Sequence, residues 1–531
     1  MKPTNHFLII ASFLIFGFKF QAQQKISEER VIETMLKATE FMVEKVSTNG
    51  GFVWYYMPDF SRQWGEMEAY KTMIWLQHPG TISMGHVFID AYRATKNEYY
   101  YKAAEKAARA IIWGQSHEGG WNYMIDFAGD RSLKQWYNTI GKNGWRLEEF
   151  QHYYGNSTFD DDVTTDAARF LLRMYLEKMD PTYKPALDKA LDFILKSQYP
   201  NGGWPQRYPL VKGYEKQGFP DYTPFYTFND DVIWENVNFL MQCYLVLGQE
   251  RFLEPIYKGM NFYKISQDTC GAWGQQVDMN MKVASARTYE PAAFLPSATC
   301  ENALLLIKFY QLTGDKQFLE GVAKAIKWLE DVKLPVDKIE GHRIHPTFVD
   351  VKTNKPIYVH RKGSNVIYGS YYIDENDKNL LSHYYGKSFV NLQELKDEYK
   401  EVLELSVEEV TKDSPLKPKE FQQKGTPQSF YDLNRYVFNF KIDDSKIVEV
   451  VNELDNENRW LSKGAYISNP YIGDGKNIEL TNEYATTRVG DETDTSPYPD
   501  KTDQKYISTG TYIRNMKLLI NYINTKETLN K

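Results

Sequence analysis

Two acidic runs in the sequence share a pattern that suits the binding of a cation or a polar ligand. The first reads TFDDDVTTD over residues 158–166, the second reads TFNDDVIWE over residues 227–235, and each leads into an apolar stretch. Aspartates placed before a helix cap its free amides and suit the positive end of its dipole. Capping accounts for one or two aspartates per helix, and it leaves the repeated T-F-x-D-D-V unexplained. Capping alone and a shared metal or substrate site therefore both remain open.

Calcium is a suitable ion for a shared metal site, because neighbouring carboxylates repel one another unless a cation or a basic group compensates their charge. Ca²⁺ takes carboxylate, amide and water oxygens in a flexible geometry. Zinc is less suited, since the nine histidines form no HExxH or comparable ligand pair.

Four glycine-containing marks recur along the chain and indicate a repeat fold. NGGF ends at Phe52, EGGW at Trp121, NGGW at Trp204 and CGAW at Trp273, so the marks lie 69, 83 and 69 residues apart. Between them, apolar residues recur at spacings of three and four in paired segments separated by Gly, Pro or Asp turns. Stacked helical hairpins explain this pattern, and we predict a mainly α fold, an α/α toroid that is partial or complete. The marks and the acidic runs then gather at one end of the toroid.

The last third of the chain differs in amino-acid composition from the repeats. Residues 344–374 are rich in β-branched and aromatic residues, which predicts short strands or an extended excursion over the toroid. We predict a toroid domain over residues 23–390 and a C-terminal extension over 391–531 that packs on it.

The composition and the first residues of the sequence indicate the cellular compartment of the protein and the classes of partner that it can bind. An apolar run from Phe7 to Phe20 follows Lys2 and predicts a signal peptide over residues 1–22, hence an exported protein, periplasmic or secreted, without a membrane span in the mature chain. The net charge of −7 argues against a nucleic-acid partner. Three cysteines without a CxxC pair argue against a disulfide framework. We expect a monomer.

Five motifs in a fixed order resemble the family 10 pectate lyases. They are the D-[ND]-x-[AV]-T pattern at Asp160 to Thr164, NGGWPQRYP at 201–209, TFNDD at 227–231, AWGQQVD followed by ARTYEP within 272–291, and TNKPIYVHRKG at 353–363. The similarity covers roughly residues 35 to 390. The family's partial α/α toroid agrees with the repeat that the spacing indicates.

The resemblance implies β-elimination from a uronate polymer, in which a base removes the C5 proton and the 4-linked oxygen leaves. It implies that Asp160 and Asp230 act at a calcium and substrate site, with Asp161 and Asp231 as further metal ligands. Arg361 matches the family's proposed catalytic base. Because arginine has a very high pKa, a charge-stabilising role for Arg361 also remains open. The candidates for the base are then His360, His86 and Tyr358.

Other matched residues are expected to contact the sugar. Arg287, Glu290, Arg207 and Lys282 are candidates for polar contacts in the cleft. Trp121 and Trp204 either stack on sugar rings or anchor loops, and Trp273 shares these two alternatives. Gly202 and Gly203 are expected to serve turn geometry.

Three departures from the family pattern concern the substrate. Thr347 stands where the family usually has an arginine, His360 stands where it has a glycine, and DKNLLSHYYG replaces a segment that normally carries a further arginine. These arginines hold neighbouring uronate carboxylates in the family, so the polymer is expected to differ from polygalacturonate.

Several functions therefore remain open. The first is a lyase for another uronate polymer, such as the algal polysaccharide ulvan. The second is a dehydratase that eliminates water from a terminal glucuronate or iduronate of an oligosaccharide. A glycoside hydrolase on the same toroid and a non-catalytic sugar-binding protein are further alternatives.

Overall fold

The structure, a computed structural model, describes most of the chain. The described residues are 26–144, 147–216, 218–362, 370–378, 380, 384–417, 433–434, 443–465 and 503–529, and the side chains of residues 143, 361, 362, 370 and 527–529 are not described. The predicted signal peptide over residues 1–22 lies outside these ranges and stays a prediction. Within them, no helix is both long and apolar enough to cross a membrane.

Helices dominate the described chain. They are α1 (Glu28–Phe41), α2 (Thr81–Thr95), α3 (Glu98–Trp113), α4 (Asp130–Thr139), α5 (Val163–Lys178), α6 (Lys184–Ser197), α7 (Val232–Leu247), α8 (Leu253–Ser266), α9 (Pro296–Thr313), α10 (Gln317–Asp331), α11 (Leu392–Glu404), α12 (Val407–Val410), α13 (Asp444–Asn452) and α14 (Thr509–Leu529). Short 3-10 turns at Asp160–Asp162 and Asn229–Asp231 precede α5 and α7.

The helices pair into hairpins that form two layers. The hairpins are α2/α3, α5/α6, α7/α8 and α9/α10, and α5 contacts both α2 and α7. Every residue from Val163 to Met174 of α5 is buried, as expected for an inner helix surrounded on all sides. The outer helix α10 buries one face, with Phe318, Val322, Ala325 and Leu329 at spacings of three and four. The predicted mainly α fold, an α/α toroid of hairpin repeats, is confirmed.

The strands are short and antiparallel. They are β1 (Tyr55–Tyr56), β2 (Gln63–Trp64), β3 (Met73–Trp75), β4 (Met124–Asp126), β5 (Ser157–Thr158), β6 (Arg207–Tyr208), β7 (Tyr226–Thr227), β8 (Gln276–Val277), β9 (Val283–Ala284), β10 (Ala293–Phe294), β11 (His345–Pro346), β12 (Phe348–Asp350), β13 (Pro356–Lys362), β14 (Ser370–Asp374), β15 (Lys387–Ser388), β16 (Leu461–Lys463) and β17 (Lys505–Ser508). The predicted strands near residues 344–374 form the sheet β10-β12-β13-β14.

Two of these strand pairs fix the positions of the acidic runs. Thr158 of β5 pairs with Arg207 of β6, and Thr227 of β7 pairs with Gln276 of β8. Each acidic run therefore follows a strand that is hydrogen-bonded to the residues just after the next glycine mark. This register places equivalent parts of successive repeats side by side.

The first glycine of each mark packs against the backbone of an outer helix. A Cβ atom at Gly50, Gly119, Gly202 or Gly271 would lie 2.1–2.5 Å from a backbone atom of Lys106, Lys189, Lys258 or Lys324, respectively. All four glycines have φ between +89° and +118°. The expectation that Gly202 serves turn geometry is confirmed, because only glycine fits both the conformation and the space.

The C-terminal helices pack on the toroid. α14 contacts α1 and α2, α13 contacts α14, and α11 contacts α9 and α10. Strand β17 pairs with β1, so Ser508 lies opposite Tyr55. The predicted boundary at residue 390 stays a prediction, but the last helix is part of the helical packing rather than a separate unit.

Candidate active site

The two acidic turns lie against each other at one end of the toroid. The 3-10 turn at Asp160–Asp162 contacts the 3-10 turn at Asn229–Asp231. In both turns the last two aspartates adopt left-handed backbone angles, with φ of 48° and 59° in the first and 49° and 56° in the second. Aspartate tolerates this conformation better than most residues, although it still costs energy. The repeat therefore brings Asp160, Asp161 and Asp230 into one cluster.

Neutral donors hold the carboxylate of Asp160. The Tyr123 hydroxyl donates to Asp160 Oδ2 at 2.6 Å, and the Gln206 side-chain amide donates to Oδ1 at 3.1 Å. Asp160 is buried. Neither of these two donors is basic, and together they fix the orientation of the carboxylate.

A single glutamine links Asp161 to a further carboxylate. The Gln77 side-chain amide donates to Asp161 Oδ2 at 2.5 Å and to Glu66 Oε2 at 3.1 Å. The indole N–H of Trp75 donates to the side-chain oxygen of Gln77. Gln77 is therefore locked in position between two acidic groups.

Burial and mutual repulsion keep protons on this cluster. Burial, with the charges of Asp160 and Glu66, raises the pKa of Asp161 to about 8. The side chain of Asp161 reaches solvent, but the protein atoms around it still make burial the largest cause of this shift in pKa. Asp230 also reaches solvent, and the protein around it together with the charges of Asp160 and Asp161 raises its pKa well above the ordinary value. The carboxylates therefore share protons or require a cation.

A second acidic group lies beside the cluster and contacts arginine. Glu149 is buried, and burial raises its pKa to about 8 although Arg287 opposes this shift. Arg287 Nη1 lies 3.5 Å from Glu149 Oε2. Arg287 also forms a two-pronged pair with Glu290, at 2.9 Å and 2.8 Å. Burial opposes ionisation of Glu290, but Arg287 and the Tyr384 hydroxyl outweigh it and lower the pKa of Glu290 to about 2.

A cleft of about 320 Å³ opens beside Asp230. Its polar lining residues are Asn229, Asp230, Asp231, Gln275, Ser297, Glu301, Thr347 and Tyr384, and its apolar lining residues are Phe228, Leu295, Ala298 and Phe348. Burial and the nearby charge of Asp231 raise the pKa of Glu301 to about 7. The volume lies at the lower end of the range for small-molecule sites, which suits a short segment of saccharide.

The structure corrects the prediction that Trp121 and Trp204 contact the sugar. Both rings are fully buried, with 0% of their surface exposed. Their indole N–H groups donate to the carbonyl oxygens of Ile111 and Ile194. A ring without an exposed face cannot stack on a sugar, so both residues anchor loops between hairpins. Trp273 is buried in the same way.

The structure also corrects the predicted sugar contact of Arg207. The guanidinium is 1% exposed and lies over the rings of Tyr123 and Tyr154, at 5.2 and 4.7 Å from their centroids. It donates weakly to Asn122 and Asn156, at 3.3 and 3.4 Å. Arg207 therefore acts as a buried positive charge beneath Tyr123 rather than as a group on the cleft surface.

The surroundings of Lys282 differ from those of Arg287 and Glu290, the two charged residues of the ARTYEP motif that were predicted to contact the sugar. Lys282 is exposed in the turn between β8 and β9, and it is not among the residues that line the cleft. Glu290 is buried, Arg287 is partly buried with 13% of its side chain exposed, and the two are bound to each other. The pair adjoins the cleft wall through Tyr384, which lines the cleft and donates to Glu290 at 2.6 Å, and the predicted sugar contact of Arg287 and Glu290 stays a prediction.

None of the predicted bases whose side chains are described lines the cleft. His360 is buried, and its Nε2 contacts Asp374 at 2.8 Å. His86 is buried on α2 with Arg173 at 3.1 Å from its Nδ1. Tyr358 is buried and lines a separate small apolar pocket. The side chain of Arg361 lies outside the described residues, and only its backbone, paired with Tyr371, is described. The structure places neither histidine on the cleft surface.

The donors that the site offers to a metal ion are the carboxylates of the two acidic turns. In the described ranges, no group of three or more His, Cys, Asp or Glu side chains is arranged to enclose one. However, carboxylates from two turns are adjacent, and the raised pKa values of Asp161 and Asp230 mean that the charge of Arg287 offsets burial and their mutual repulsion only in part. Such oxygens fit a hard cation that takes its other ligands from water or substrate. Calcium at Asp160, Asp161, Asp230 and Asp231 stays a prediction.

Several residues of the site carry no signal in the acidic runs themselves. They are Glu66, Gln77, Tyr123, Glu149 and Glu301. One of them could have been found through the repeat. In three repeats, a threonine hydroxyl accepts the backbone N–H of the aromatic residue that ends a glycine mark; the pairs are Thr81 with Phe52, Thr164 with Trp121 and Thr299 with Trp273. The residues four positions before these threonines are Gln77, Asp160 and Leu295. Gln77 is therefore the counterpart of Asp160 in the first repeat.

A family model and several solved structures are similar to this chain. The family model described as pectic acid lyase matches residues 126–404, more than half of the 531-residue chain. A family 10 polysaccharide lyase from Cellvibrio cellulosa is 18% identical, with a TM-score of 0.35, over 51% of this chain and 84% of that chain. A sugar epimerase from a ruminal bacterium is 12% identical, with a TM-score of 0.41, over 94% and 99% of the two chains.

A third structure, an α-1,6-mannanase from Salegentibacter sp. HEL1_6, is 12% identical, with a TM-score of 0.35, over 93% and 98% of the two chains. A comparison with curated proteins finds no match. The structural similarities are distant, and the assignment rests on the family model, which confirms the resemblance seen in the five motifs. The chain belongs to the pectic acid lyase family.

Proposed function

We propose that this protein catalyses β-elimination between C4 and C5 of uronic acid residues in an anionic polysaccharide or oligosaccharide. Its family membership supports a lyase-type enzyme that degrades polysaccharide. The observation that carries the proposal is the convergence of Asp160, Asp161 and Asp230, from two successive repeats, beside an open cleft. A protein that only needed helix caps would not bring these carboxylates together.

Elimination places three demands on the site. The uronate carboxylate must be neutralised, a base must reach the C5 proton, and the leaving oxygen must be stabilised. A Ca²⁺ ion held by carboxylates of the two acidic turns would supply the first of these by compensating the charge of the uronate. Tyr123 and Gln206 would keep Asp160 oriented toward that task through their hydrogen bonds.

We assign the proton transfer to a carboxylate of the cluster rather than to arginine. Asp161 has a pKa raised to about 8, so it exchanges a proton near neutral pH, whereas an arginine holds its proton far above that range. Asp161 is also exposed to solvent. This role competes with the predicted role of Asp161 as a calcium ligand. Arg361 keeps its predicted role in stabilising charge.

Products analysed by mass test the proposal. The protein is incubated with polygalacturonate, ulvan and their saturated oligosaccharides, with and without chelator. A lyase splits the chain without adding water and forms a product that absorbs near the ultraviolet edge. A dehydratase leaves the chain length intact and removes one water. If every uronate substrate is returned unchanged, or if each product has gained one water, elimination is wrong.

The variant Asp161→Asn separates the two roles of Asp161. As a base, its loss lowers turnover by about 10²-fold or more at every calcium concentration. As a ligand only, its loss is restored by raising the calcium concentration. The control is Asp188→Asn, since Asp188 pairs with Lys184 on the surface of the outer helix α6. We expect this control to keep wild-type turnover.

Hydrolysis is the second candidate, and one observation favours it. Asp161 and Glu149 both hold protons to about pH 8, as the general acid of a glycoside hydrolase does. The mass experiment decides between the two, because hydrolysis adds one water to the products and leaves no double bond.

A further inference from the structure

A second pocket lies at the junction of the first repeat with the C-terminal part of the chain. It has a volume of about 510 Å³, which is within the range of small-molecule sites. Its walls come from His78 and Pro79 before α2, from strand β16 and from the beginning of α14. The residues that line it lie outside the range 126–404 that the family model matches. Family membership therefore assigns this pocket no role.

One face of α14 supplies hydrogen-bond donors to the pocket. Thr511, Arg514 and Asn515 line it at spacings of three and four, so their side chains share one face of the helix. Ser508, just before the helix, and Gly510, in its first turn, line the pocket as well. The first turn of this 21-residue helix carries the positive end of the helix dipole, which favours an anion.

Asn515 indicates independently that the pocket takes a polar ligand. Only 7% of its surface is exposed, and it lines the pocket. Its side-chain amide forms no hydrogen bond with any residue in the described ranges. A buried amide that lacks a partner is costly, and an acceptor atom on a ligand in the pocket removes that cost.

Two basic side chains make the pocket attractive to an anion. Arg514 and Lys463 line it and are exposed, and neither forms an ion pair within the described part of the chain. Arg514 donates to the Thr511 hydroxyl at 3.3 Å, which leaves further guanidinium N–H groups for a ligand. Glu453 also lines the pocket, so the two bases outnumber the acidic residue among the described lining residues.

The pocket adjoins the acidic cluster through consecutive residues. Gln77, whose side-chain amide donates to Asp161, is the counterpart of Asp160 in the first repeat. His78 is the next residue along the chain, and it lines the pocket. The pocket therefore lies at the same end of the toroid as the cluster, and a saccharide bound at the cluster can extend toward it.

We propose that this pocket binds an anionic substituent, a sulfate ester or a carboxylate, on a sugar unit beyond the reacting one. Asn515 and Arg514 donate hydrogen bonds to the substituent from α14, and Lys463 compensates its charge from β16. The proposal rests on the proposed function only for the saccharide that carries this substituent.

Calorimetric titration of the full chain with four probes tests the proposal. The probes are a neutral disaccharide, the same disaccharide with one sulfate ester, the same disaccharide with a terminal 4-deoxyuronate, and inorganic sulfate. All titrations contain chelator, so that no calcium ion at the acidic cluster contributes. Because none of the probes carries a uronate with a leaving group at C4, the result is independent of whether the protein catalyses elimination.

We expect at least one of the two anionic disaccharides to bind about 10-fold more tightly than the neutral one, with a difference that shrinks as salt is added. The one that binds more tightly identifies the substituent. Two results overturn the proposal. One is equal affinity for the neutral disaccharide, and the other is inorganic sulfate binding as tightly as the anionic disaccharides.

Variants locate the binding in this pocket. Arg514→Gln and Lys463→Gln should each lower the affinity for the preferred anionic disaccharide by about 10-fold and leave the affinity for the neutral one unchanged. Asn515→Asp keeps the shape of the side chain and should lower the same affinity by at least as much. Arg514 and Lys463 are exposed, so their variants decide the question even if the buried Asn515→Asp variant does not fold.

The control is Arg109→Gln, which removes the same charge at an exposed position on the outer helix α3 and should keep the wild-type affinity. Wild-type affinity in both Arg514→Gln and Lys463→Gln would place the anion elsewhere on the protein and overturn the proposal.

Discussion

Protonation distinguishes Glu149 from the carboxylates on the protein surface. Glu149 is buried, and its pKa is raised to about 8, whereas Glu254 on the surface of α8 has a pKa below its ordinary value because it pairs with Lys258. Between pH 5 and pH 8, native Glu149 therefore keeps a proton that the same group in the unfolded chain has lost. Stability must fall as the pH rises through this window.

The first prediction concerns this pH dependence. In the presence of chelator, we expect the free energy of unfolding of the wild type to fall by on the order of 2 kcal/mol between pH 5 and pH 8. Glu149→Gln mimics the protonated side chain, so its free energy of unfolding should depend less on pH. Urea unfolding at a series of pH values measures both. Glu254→Gln serves as the control and should keep the wild-type slope; an equal slope in Glu149→Gln and the wild type would contradict the assignment.

At the residue scale, the sequence predicted the acidic centre better than its surroundings. Asp160, Asp161 and Asp230 could be found because their pattern repeats before two helices. Trp121 and Trp204 were assigned wrongly, since an aromatic residue after two glycines fits a sugar platform and a loop anchor equally well. Glu149 and Glu66 could not be found at all, because only the folded chain brings them next to the acidic turns.

At the scale of elements, the glycine marks join neighbouring parts of the toroid. Gly202 has a φ of +104°, and a Cβ atom there would lie 2.1 Å from the carbonyl oxygen of Lys258 on α8. The mark itself is positioned by a backbone hydrogen bond from Thr227 to Trp204. A side chain at Gly202 would therefore separate the loop from α8 and displace the acidic turn that follows β7.

The second prediction follows from this close approach. Gly202→Ala should lower the free energy of unfolding by at least about 2 kcal/mol, because it combines a positive φ with a backbone clash. The control, Gly213→Ala, has a similar φ of +111° but nothing within 4 Å of the added Cβ, so it should cost only about 1 kcal/mol. Thermal or urea unfolding measures both variants. Equal losses would mean that the contact with Lys258 contributes nothing.

The helices were well predicted because their apolar periodicity is strong. The segment TTDAARFLLRMYLEKM matches α5, and PALDKALDFILKSQY matches α6 within a few residues. The short strands around the acidic runs, β5 to β8, were not predicted. Two-residue strands carry no alternating pattern, and their pairing depends on the stacking of one hairpin on the next.

At the scale of the whole molecule, the last helix packs against the first two. α14 contacts α1 and α2, and Tyr512 on α14 shares a hydrogen bond of 2.6 Å with Thr39 on α1. Leu519 of α14 is fully buried. The stability of the first repeat therefore depends on residues nearly five hundred positions away in the sequence.

The third prediction concerns this long-range packing. Leu519→Ala should lower the free energy of unfolding by about 2–5 kcal/mol, since it leaves a cavity between α14 and its neighbours. The matched control is Leu403→Ala on α11, where the side chain is 57% exposed and the expected change is within about 0.5 kcal/mol. Both are measured by urea unfolding of the full chain. A loss in Leu519→Ala no larger than in Leu403→Ala would show that α14 is not needed for the stability of the toroid.

The contact between each mark glycine and a lysine carbonyl has a consequence for how this protein can diverge. The lysine takes part through its backbone oxygen, so the identity of that side chain is irrelevant to the fit. Four such contacts hold the loops in place without using any residue of the acidic runs or of the cleft. Substitutions that change the sugar bound in the cleft can therefore accumulate while the loops keep their positions, which lets one ring of hairpins acquire new substrates.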